Sequence, residues 1–255
     1  VSKVFEDEVS TYTINDGMIN DNVKVIFEDK EGKIWFGTDG SGILKFTSDR
    51  ITYFSQKDLL PSDIVMSIAQ DNEQNYWIGT YGNGVVQKNN EKVISYTTAN
   101  GLSNNTVWYI YNDSKNRVWI ATSDGVSIFY ENKIKKISTN KGLISKKVWT
   151  INEDANGDIW LGTLEGISVI TENDSIINFP SGKNSIGESV RSIINYKNTF
   201  WFATSNGVYY LNKPNRAFIK KSSPFNKAFC IEKDYSNNLW VGTDEGLFLY
   251  KDDSF

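Results

Sequence analysis

Histidine is absent from this sequence of 255 residues, and cysteine occurs once, at Cys230. Without histidine the chain cannot form a Ser-His-Asp or Cys-His catalytic system, nor can it carry a phosphohistidine. A lone cysteine cannot close a disulfide within the chain, and the usual Cys/His zinc site is excluded as well. In a β-rich segment such a cysteine is expected to be a small core residue. We predict neither a metal site nor a cofactor.

An excess of basic residues is also missing. The chain has 27 lysines and arginines against 31 aspartates and glutamates, so its formal net charge is −4. Both signs are interspersed along the sequence, whereas a nucleic-acid-binding surface needs a basic face. The longest apolar runs are too short to span a bilayer. These features predict no nucleic-acid partner and no insertion into a membrane by this chain.

What the sequence does have is one four-residue motif repeated six times. The motif is a tryptophan, a large apolar residue, a glycine or alanine, and a threonine, and its copies begin 42, 42, 41, 41 and 39 residues apart. Self-similarity at this period indicates a repeat architecture. Each repeat contains four short β-type runs separated by turn signals, and no stretch has a helical period. The six tryptophans are Trp35, Trp77, Trp119, Trp160, Trp201 and Trp240.

Four strands in each repeat of about 41 residues predict an all-β fold, a β-propeller built from four-stranded antiparallel blades. Six motifs favour six blades, and the alternative is that the chain forms part of a seven-bladed ring. We interpret residues 1–255 as a single propeller domain. In this interpretation the N-terminal strand 9–14 completes the last blade and closes the ring.

Positions that recur in every repeat are expected to build the blade. A buried tryptophan covers about 150–250 Å² of surface, and the glycine or alanine two residues later leaves room for a large neighbour. An aspartate or asparagine stands six residues before each tryptophan, and these side chains are typical of turns. These positions are Asp29, Asp71, Asp113, Asp154, Asn195 and Asp234.

The motif, the aspartate before it and loops such as GLSNNTV at 101–107 together resemble the two-component regulator propeller repeat. The resemblance covers nearly the whole chain, although repeat five has Asn195 in place of the aspartate and repeat six has the loop residues Phe225, Asn226 and Lys227. It implies a sensor propeller of a bacterial two-component signalling protein, located in the periplasm or elsewhere outside the cytoplasm. A histidine kinase would lie elsewhere in the protein, so this chain is not expected to be an enzyme.

The same resemblance implies the partners. The expected ligand is a small molecule, and an oligosaccharide in particular. Other propeller domains or downstream domains of the same protein are expected to contact the chain, and a homodimer is an expected assembly.

Positions that differ between repeats are the candidates for ligand binding. The residue after the recurring valine, which is an alanine in repeat six, varies most, and it lies on the strand that lines the channel of a propeller. Aromatic rings can stack on sugars, while lysine and arginine can bind carboxylate or sulfate. We predict ligand-binding roles for Lys24, Trp108, Trp149, Arg191 and Phe229, and for the nearby loop residues Tyr81, Asn105, Lys147 and Glu188.

Two other interpretations stay open. If Trp108 and Trp149 pack between blades and the charged residues are merely solvated, the chain is a structural or protein-interaction propeller. A lyase or hydrolase would need an acid and a base, for which Glu188 and Glu165 are available. The spacing of the sequence does not pair these two carboxylates.

Overall fold

The computed structural model describes residues 1–5, 8–47, 50–58, 60–89, 92–131, 133–182, 185–212 and 216–255. In these residues the only helices are short 3₁₀ turns, so the all-β prediction is confirmed. Six successive antiparallel sheets form the blades of a β-propeller, as predicted from the six motifs. Among the described residues, no helix is both long and apolar enough to cross a membrane.

The strands follow the chain in order within each blade. Blade 1 contains β3 (Val23–Glu28), β4 (Ile34–Thr38), β5 (Ile43–Thr47) and β6 (Arg50–Phe54). Blade 2 contains β7 (Val65–Gln70), β8 (Tyr76–Thr80), β9 (Val85–Lys88) and β10 (Val93–Tyr96). Blade 3 contains β11 (Val107–Asn112), β12 (Val118–Thr122), β13 (Gly125–Tyr130) and β14 (Lys133–Ile137).

The remaining blades continue the pattern. Blade 4 contains β15 (Val148–Glu153), β16 (Ile159–Thr163), β17 (Gly166–Ile170) and β18 (Ile176–Pro180). Blade 5 contains β19 (Val190–Tyr196), β20 (Thr199–Thr204), β21 (Gly207–Asn212) and β22 (Ala217–Lys220). Blade 6 contains β23 (Ala228–Lys233), β24 (Leu239–Thr243) and β25 (Gly246–Tyr250). The 3₁₀ turns are Ile14–Asp16, Gln56–Asp58, Thr98–Asn100 and Thr139–Lys141.

The N-terminal segment forms its own hairpin, which corrects the predicted role of residues 9–14. Strand β1 (Ser2–Phe5) pairs with β2 (Glu8–Thr11) in a separate two-stranded sheet, and residues 14–16 turn into a 3₁₀ helix. Pairing with an adjacent strand closes a far shorter loop than pairing with a strand at the other end of the chain. Strand β2 therefore finds its partner locally.

The residues that follow β25 form a turn of their own. Asp252 and Asp253 both have positive φ values, 49° and 66°, and Lys251 pairs with Ser254 in an antiparallel bridge. Two central residues with positive φ are typical of a tight hairpin turn. The chain after β25 thus turns back on itself at Lys251, and three strands of blade 6 are described.

The described chain divides into two compact units, residues 1–120 with 128–134 and residues 121–127 with 135–255. In the first unit, Trp35 and Trp77 are each 3% exposed and anchor apolar clusters. In the second unit, Trp160 and Trp201 have the same role. Four of the six motif tryptophans therefore lie in the apolar cores. That residues 1–255 form a single domain stays a prediction.

Most of the buried tryptophans are fixed by the aspartate six residues before them. In blade 3, Asp113 Oδ1 accepts hydrogen bonds from the backbone N–H groups of Lys115 and Arg117, at 3.0 and 2.7 Å. Its Oδ2 accepts one from Trp119 Nε1 at 2.8 Å. Blades 1, 2, 4 and 6 repeat the bond from tryptophan to aspartate at 2.8 to 3.2 Å. The aspartates are turn formers, as predicted, and they also satisfy the buried indole N–H.

Blade 5 is the exception. Asn195 lies inside β19 and is exposed, which corrects its predicted role in a turn. The turn here is only two residues long, because Tyr196 pairs directly with Thr199. Lys197 and Asn198 between them have φ values of 49° and 60°, the conformation of a tight hairpin. The cysteine differs from expectation as well, since Cys230 is an exposed residue of β23.

The glycine of the motif is explained by close contact with the next blade. A Cβ atom placed on Gly79 would stand 2.5 Å from Cγ1 of Val107, and one on Gly37 would stand 2.7 Å from Cγ1 of Val65. These distances are shorter than van der Waals contact. At these positions the recurring valine of the following blade therefore packs directly against the motif glycine, and the predicted need for room is confirmed there.

Replacing Asp113 with alanine should destabilise the protein by about 2–4 kcal/mol, because it leaves the buried Trp119 N–H without an acceptor and removes two turn bonds. The measurement is the shift of the guanidinium chloride unfolding curve. Asn195→Ala is the matched control, because Asn195 holds the equivalent position on an exposed site. It should change stability by less than about 0.5 kcal/mol. Equal effects of the two substitutions would contradict the assigned role.

Acid should weaken the same interaction in blade 1. Burial raises the pKa of Asp29, but hydrogen bonds from Trp35, Lys33, Tyr76 and Glu31 outweigh it and hold the pKa below its usual value. A lowered pKa in the folded state gives stability that is complete above the unfolded value of about 3.9 and is lost as pH falls through the folded pKa. Urea unfolding at pH 7 and pH 3 should therefore show a smaller acid-induced loss in Asp29→Asn than in the wild type. Identical losses would disprove this assignment.

Candidate functional site

The first strand of five blades carries a β-bulge at the position that varies most between repeats. In five blades the pairing with the second strand skips one residue, for example between Val148 and Thr150 and between Val190 and Ser192. A bulge leaves its extra residue outside the regular ladder and redirects its side chain. The residues skipped in this way are Lys24, Met66, Trp149, Arg191 and Phe229. Four of the nine predicted site residues thus occupy one structural position.

Backbone hydrogen bonds hold the loop before each first strand against the turn between the second and third strands. Leu164 N–H donates to the carbonyl of Lys147 at 3.1 Å, and Tyr81 N–H donates to that of Ile64 at 3.0 Å. The bond from Asp39 to Asn22 is equivalent. The donor in each case follows the threonine of the motif. The predicted loop residues of a blade and its bulge therefore lie at the same end of that blade.

In the first unit the structure brings Tyr81 and Trp108 together. Their rings stand edge to face, with centroids 5.8 Å apart, and the Tyr81 side chain is 50% exposed. Trp108 is half-buried in β11, in contrast to the fully buried Trp77 and Trp119 of the motif. An aromatic pair that is partly open to solvent can stack on the apolar face of a sugar or of another small molecule.

Two other predicted residues of the first unit have internal roles. Lys24 Nζ forms an ion pair with Asp39 Oδ2 at 3.0 Å, so its charge is balanced. The side-chain oxygen of Asn105 accepts a hydrogen bond from Thr98 N–H at 2.8 Å, and its carbonyl accepts one from Gly84 N–H at 2.8 Å. Asn105 thereby shapes the loop that precedes β11. None of these contacts involves Trp108.

In the second unit two cations lie against one indole ring. Lys147 Nζ is 3.9 Å from the ring centroid of Trp149, and Arg191 Cζ is 4.5 Å from it. All three side chains are half-buried. Burial lowers the pKa of Lys147, and the positive charge of Arg191 lowers it further. We call Lys147, Trp149 and Arg191 the cationic cluster. It combines a flat ring with two donors suited to an anion.

The last two predicted residues are exposed beside other surfaces. Glu188 lines a depression of about 450 Å³ together with Gly182, Ser205 and Asn206, and its carbonyl accepts a hydrogen bond from Ser205 Oγ at 2.6 Å. Phe229 is 46% exposed in β23. No group of three or more cysteine, aspartate or glutamate side chains in the described part of the chain is arranged to hold a metal ion.

Two residues that support the cationic cluster were not predicted from the sequence. Ser189 N–H donates to the carbonyl of Leu164 at 3.1 Å, and Leu164 in turn bonds to Lys147. This chain of bonds ties the loop before β19 to the loop before β15. Comparison of the repeats could have pointed to Leu164, because it follows the motif threonine just as Tyr81 does in repeat two.

Comparison with known solved structures supports the fold. The extracellular domains of two proteins assigned as hybrid two component systems of B. thetaiotaomicron superimpose with TM-scores of 0.84 and 0.82, at 24% and 18% sequence identity. The alignments cover 97% of this chain but only 36% of either of those chains. Virginiamycin B lyase from Staphylococcus aureus is also similar, with a TM-score of 0.71 at 18% identity, over 90% of this chain and 84% of the lyase.

A search of curated protein sequences finds no match. The model of the two component regulator propeller family matches residues 17–40, 59–82, 101–124 and 142–165. Each matched segment ends just after a motif threonine and includes the loop and first strand before it. Four of the six repeats thus match the model of the two component regulator propeller repeat, and the resemblance indicated by the tryptophan motifs is confirmed.

Proposed function

We propose that this propeller is the ligand-sensing part of a bacterial two-component signalling protein, and that its ligand is an oligosaccharide. The supporting similarity is to extracellular domains of hybrid two component systems, which favours a location in the periplasm or outside the cell. In this proposal the chain acts by binding and not by catalysis. Signalling would depend on other domains of the full protein, since this chain spans 36% of those relatives.

One observation carries the proposal. Trp108 and Trp149 occupy equivalent positions in repeats three and four, both are half-buried, and each has a partner suited to ligand recognition. Trp108 has the exposed Tyr81, and Trp149 has Lys147 and Arg191. Blade construction does not require these tryptophans, because other repeats have methionine, arginine or phenylalanine there. Sugar-binding sites combine aromatic faces with a few polar groups in this way.

A ligand can shift such a sensor only if it binds one arrangement of the protein better than another. The proposed mechanism is that the oligosaccharide favours one packing between this propeller and its neighbours, which are other domains of the same chain or a second copy in a homodimer. A propeller that binds only a protein partner is the competing function. It would use the same exposed end of the blades without a small ligand.

Titration calorimetry with neutral and acidic oligosaccharides tests the proposal. A binding oligosaccharide should lose about tenfold in affinity in Trp108→Ala or Trp149→Ala, because loss of one stacking contact of about 1.4 kcal/mol corresponds to that factor. Tyr235→Ala is the control, since Tyr235 is 92% exposed in the turn between β23 and β24, at the other end of its blade. It should leave affinity unchanged.

Thermal unfolding of each variant shows whether the propeller is intact. Failure to bind any oligosaccharide of either class would contradict the proposed ligand. Capture of a specific protein partner by the wild type, lost in the two tryptophan variants, would support the competing function instead.

A further inference from the structure

The N-terminal hairpin has the same structure as the third and fourth strands of blade 1, which we call the outer half of a blade. In the pairing of β1 with β2, Val4 lies opposite Val9, and in the pairing of β5 with β6, Phe46 lies opposite Ile51. All residue pairs of the hairpin have such a counterpart 42 residues later, which is also the spacing of the first two tryptophan motifs. The hairpin therefore repeats the register of a blade.

The turn after the hairpin repeats that of blade 1 as well. Thr13 N–H donates to Asp16 Oδ2 at 2.9 Å, and Ser55 N–H donates to Asp58 Oδ2 at 3.0 Å. The N–H of the next residue in each turn donates to a second aspartate, at 2.9 Å after β2 and at 2.7 Å after β6. The chain after β2 therefore folds as the chain does at the end of a blade.

The hairpin also packs as an outer half does. Val1 packs against the apolar cluster that contains Phe36 of blade 1. Its counterpart Ile43 belongs to the cluster that contains Ile78, which holds in blade 2 the position that Phe36 holds in blade 1. The hairpin therefore lies against blade 1 as the outer half of blade 1 lies against blade 2.

One edge of β1 is open. In blade 1, β5 lies between β4 and β6, whereas β1 pairs only with β2 among the described strands. Val1 and Tyr12 exchange two backbone hydrogen bonds, at 2.9 and 2.7 Å. Because bonded and non-bonded pairs alternate in an antiparallel ladder, the N–H groups of Ser2 and Val4 point away from β2. An edge with such unpaired groups is a template for another strand.

One ring beside this edge lacks the neighbour that its counterparts have. In blades 1, 2 and 4 an aromatic ring of the fourth strand stacks on the motif tryptophan, with centroids 5.8 to 6.0 Å apart and planes within 16° of parallel. These rings are Phe54, Tyr96 and Phe179. Tyr12 is the counterpart of Phe54, but it is 40% exposed and no ring of the described residues stacks on it. The hairpin thus lacks a tryptophan as well as a strand.

The described part of the chain has no strand to spare for this edge. Each of the six strands that carry a tryptophan motif already lies between the first and third strands of its own blade. The solved extracellular domains that resemble this chain are longer, since the alignments cover only 36% of either of them. A strand for the edge of β1 is therefore sought in another part of the full protein.

We infer that the β1–β2 hairpin is the outer half of a further blade, whose first two strands come from another part of the full protein. The second of these strands pairs with the open edge of β1 and carries the tryptophan motif, and its indole ring stacks on Tyr12. This inference concerns the assembly of the propeller and does not rest on the proposed ligand. It identifies the partner of this edge as an antiparallel pair of strands with one motif tryptophan.

A synthetic peptide of residues 62–82 tests the inference. It contains the first two strands of blade 2, and in that blade its Trp77 stacks on a tyrosine that corresponds to Tyr12. The wild-type protein should bind this peptide, and hydrogen exchange at the Val4 amide should slow about tenfold or more, because that amide gains an acceptor. Absence of binding at millimolar peptide, or binding that leaves exchange at Val4 unchanged, would overturn the inference.

Val4→Pro and Val9→Pro form a matched pair of variants. The two residues lie opposite each other, and their N–H groups point to opposite edges of the hairpin. Proline is tolerated at a strand edge where the missing N–H would face solvent. Val4→Pro should lower affinity for the peptide about tenfold or more, because it removes a donor from the open edge of β1. Val9→Pro should keep affinity within about twofold, and equal losses would contradict pairing at this edge.

A double-mutant cycle tests the stacked rings without changing the backbone. Tyr12→Ala should weaken peptide binding about fivefold, which is the loss expected for one aromatic pair, and Trp77→Ala in the peptide should weaken it by at least as much. The loss from Tyr12→Ala should disappear when the peptide already carries Trp77→Ala, because the two changes remove the same contact. Additive losses would show that the two rings do not meet, and the inference would fail.

Sedimentation of the chain without peptide tests a second copy as the occupant of the same edge. A monomer that binds the peptide supports the inference. If the chain instead forms a dimer that Val4→Pro dissociates and Val9→Pro preserves, a second copy pairs with β1 and the inferred partner is wrong.

Discussion

The hydrogen bond from the motif tryptophan to the aspartate six residues earlier is the constraint on which five of the six blades depend. One carboxylate closes the turn between the first two strands with one oxygen and receives the indole N–H with the other, as Asp113 does for Trp119. The largest side chain of the core is thereby fixed to a turn of its own blade. With the tryptophan in place, the glycine two residues later can accept the valine of the next blade at close range, as Gly79 does with Val107.

The residues that build the blade are separate from the bulge residue, which explains why variation is concentrated at one end of the blades. The turn, the tryptophan and the glycine must be kept in most repeats, because each supports the next. The bulge residue has no place in the regular strand pairing, so its identity is not constrained by the blade. Lysine, methionine, tryptophan, arginine and phenylalanine all occur there. A position that the framework holds but does not specify is well suited to ligand recognition.

The fold could be predicted well from the sequence because the six repeats can be compared with one another. The sequence predicted the aspartates as turn formers but missed their bond to the tryptophan, which requires knowledge of side-chain direction. The sequence identified Lys24, Trp149 and Arg191 because this position varies between repeats. It could not predict that all three are bulge residues, because a bulge depends on how two strands pair and the residues around it do not indicate it. The partner of residues 9–14 was wrongly predicted because alternation identifies a strand without specifying its neighbour. The internal contacts of Asn105 and Lys24 could not be predicted either, because they form only in the folded chain.

The tryptophans that follow the recurring valine in repeats three and four show that one position can have different neighbours. Trp108 and Trp149 stand at the same place in consecutive repeats, but different residues surround them. Tyr81 gives Trp108 an aromatic neighbour, which favours an uncharged, apolar surface. Lys147 and Arg191 give Trp149 two cationic neighbours, which lie over its ring. Because these neighbours come from loops and from a bulge position, which the bonds between tryptophan and aspartate do not involve, the surroundings of the two tryptophans can differ between repeats without disturbing the bonds that build the blade.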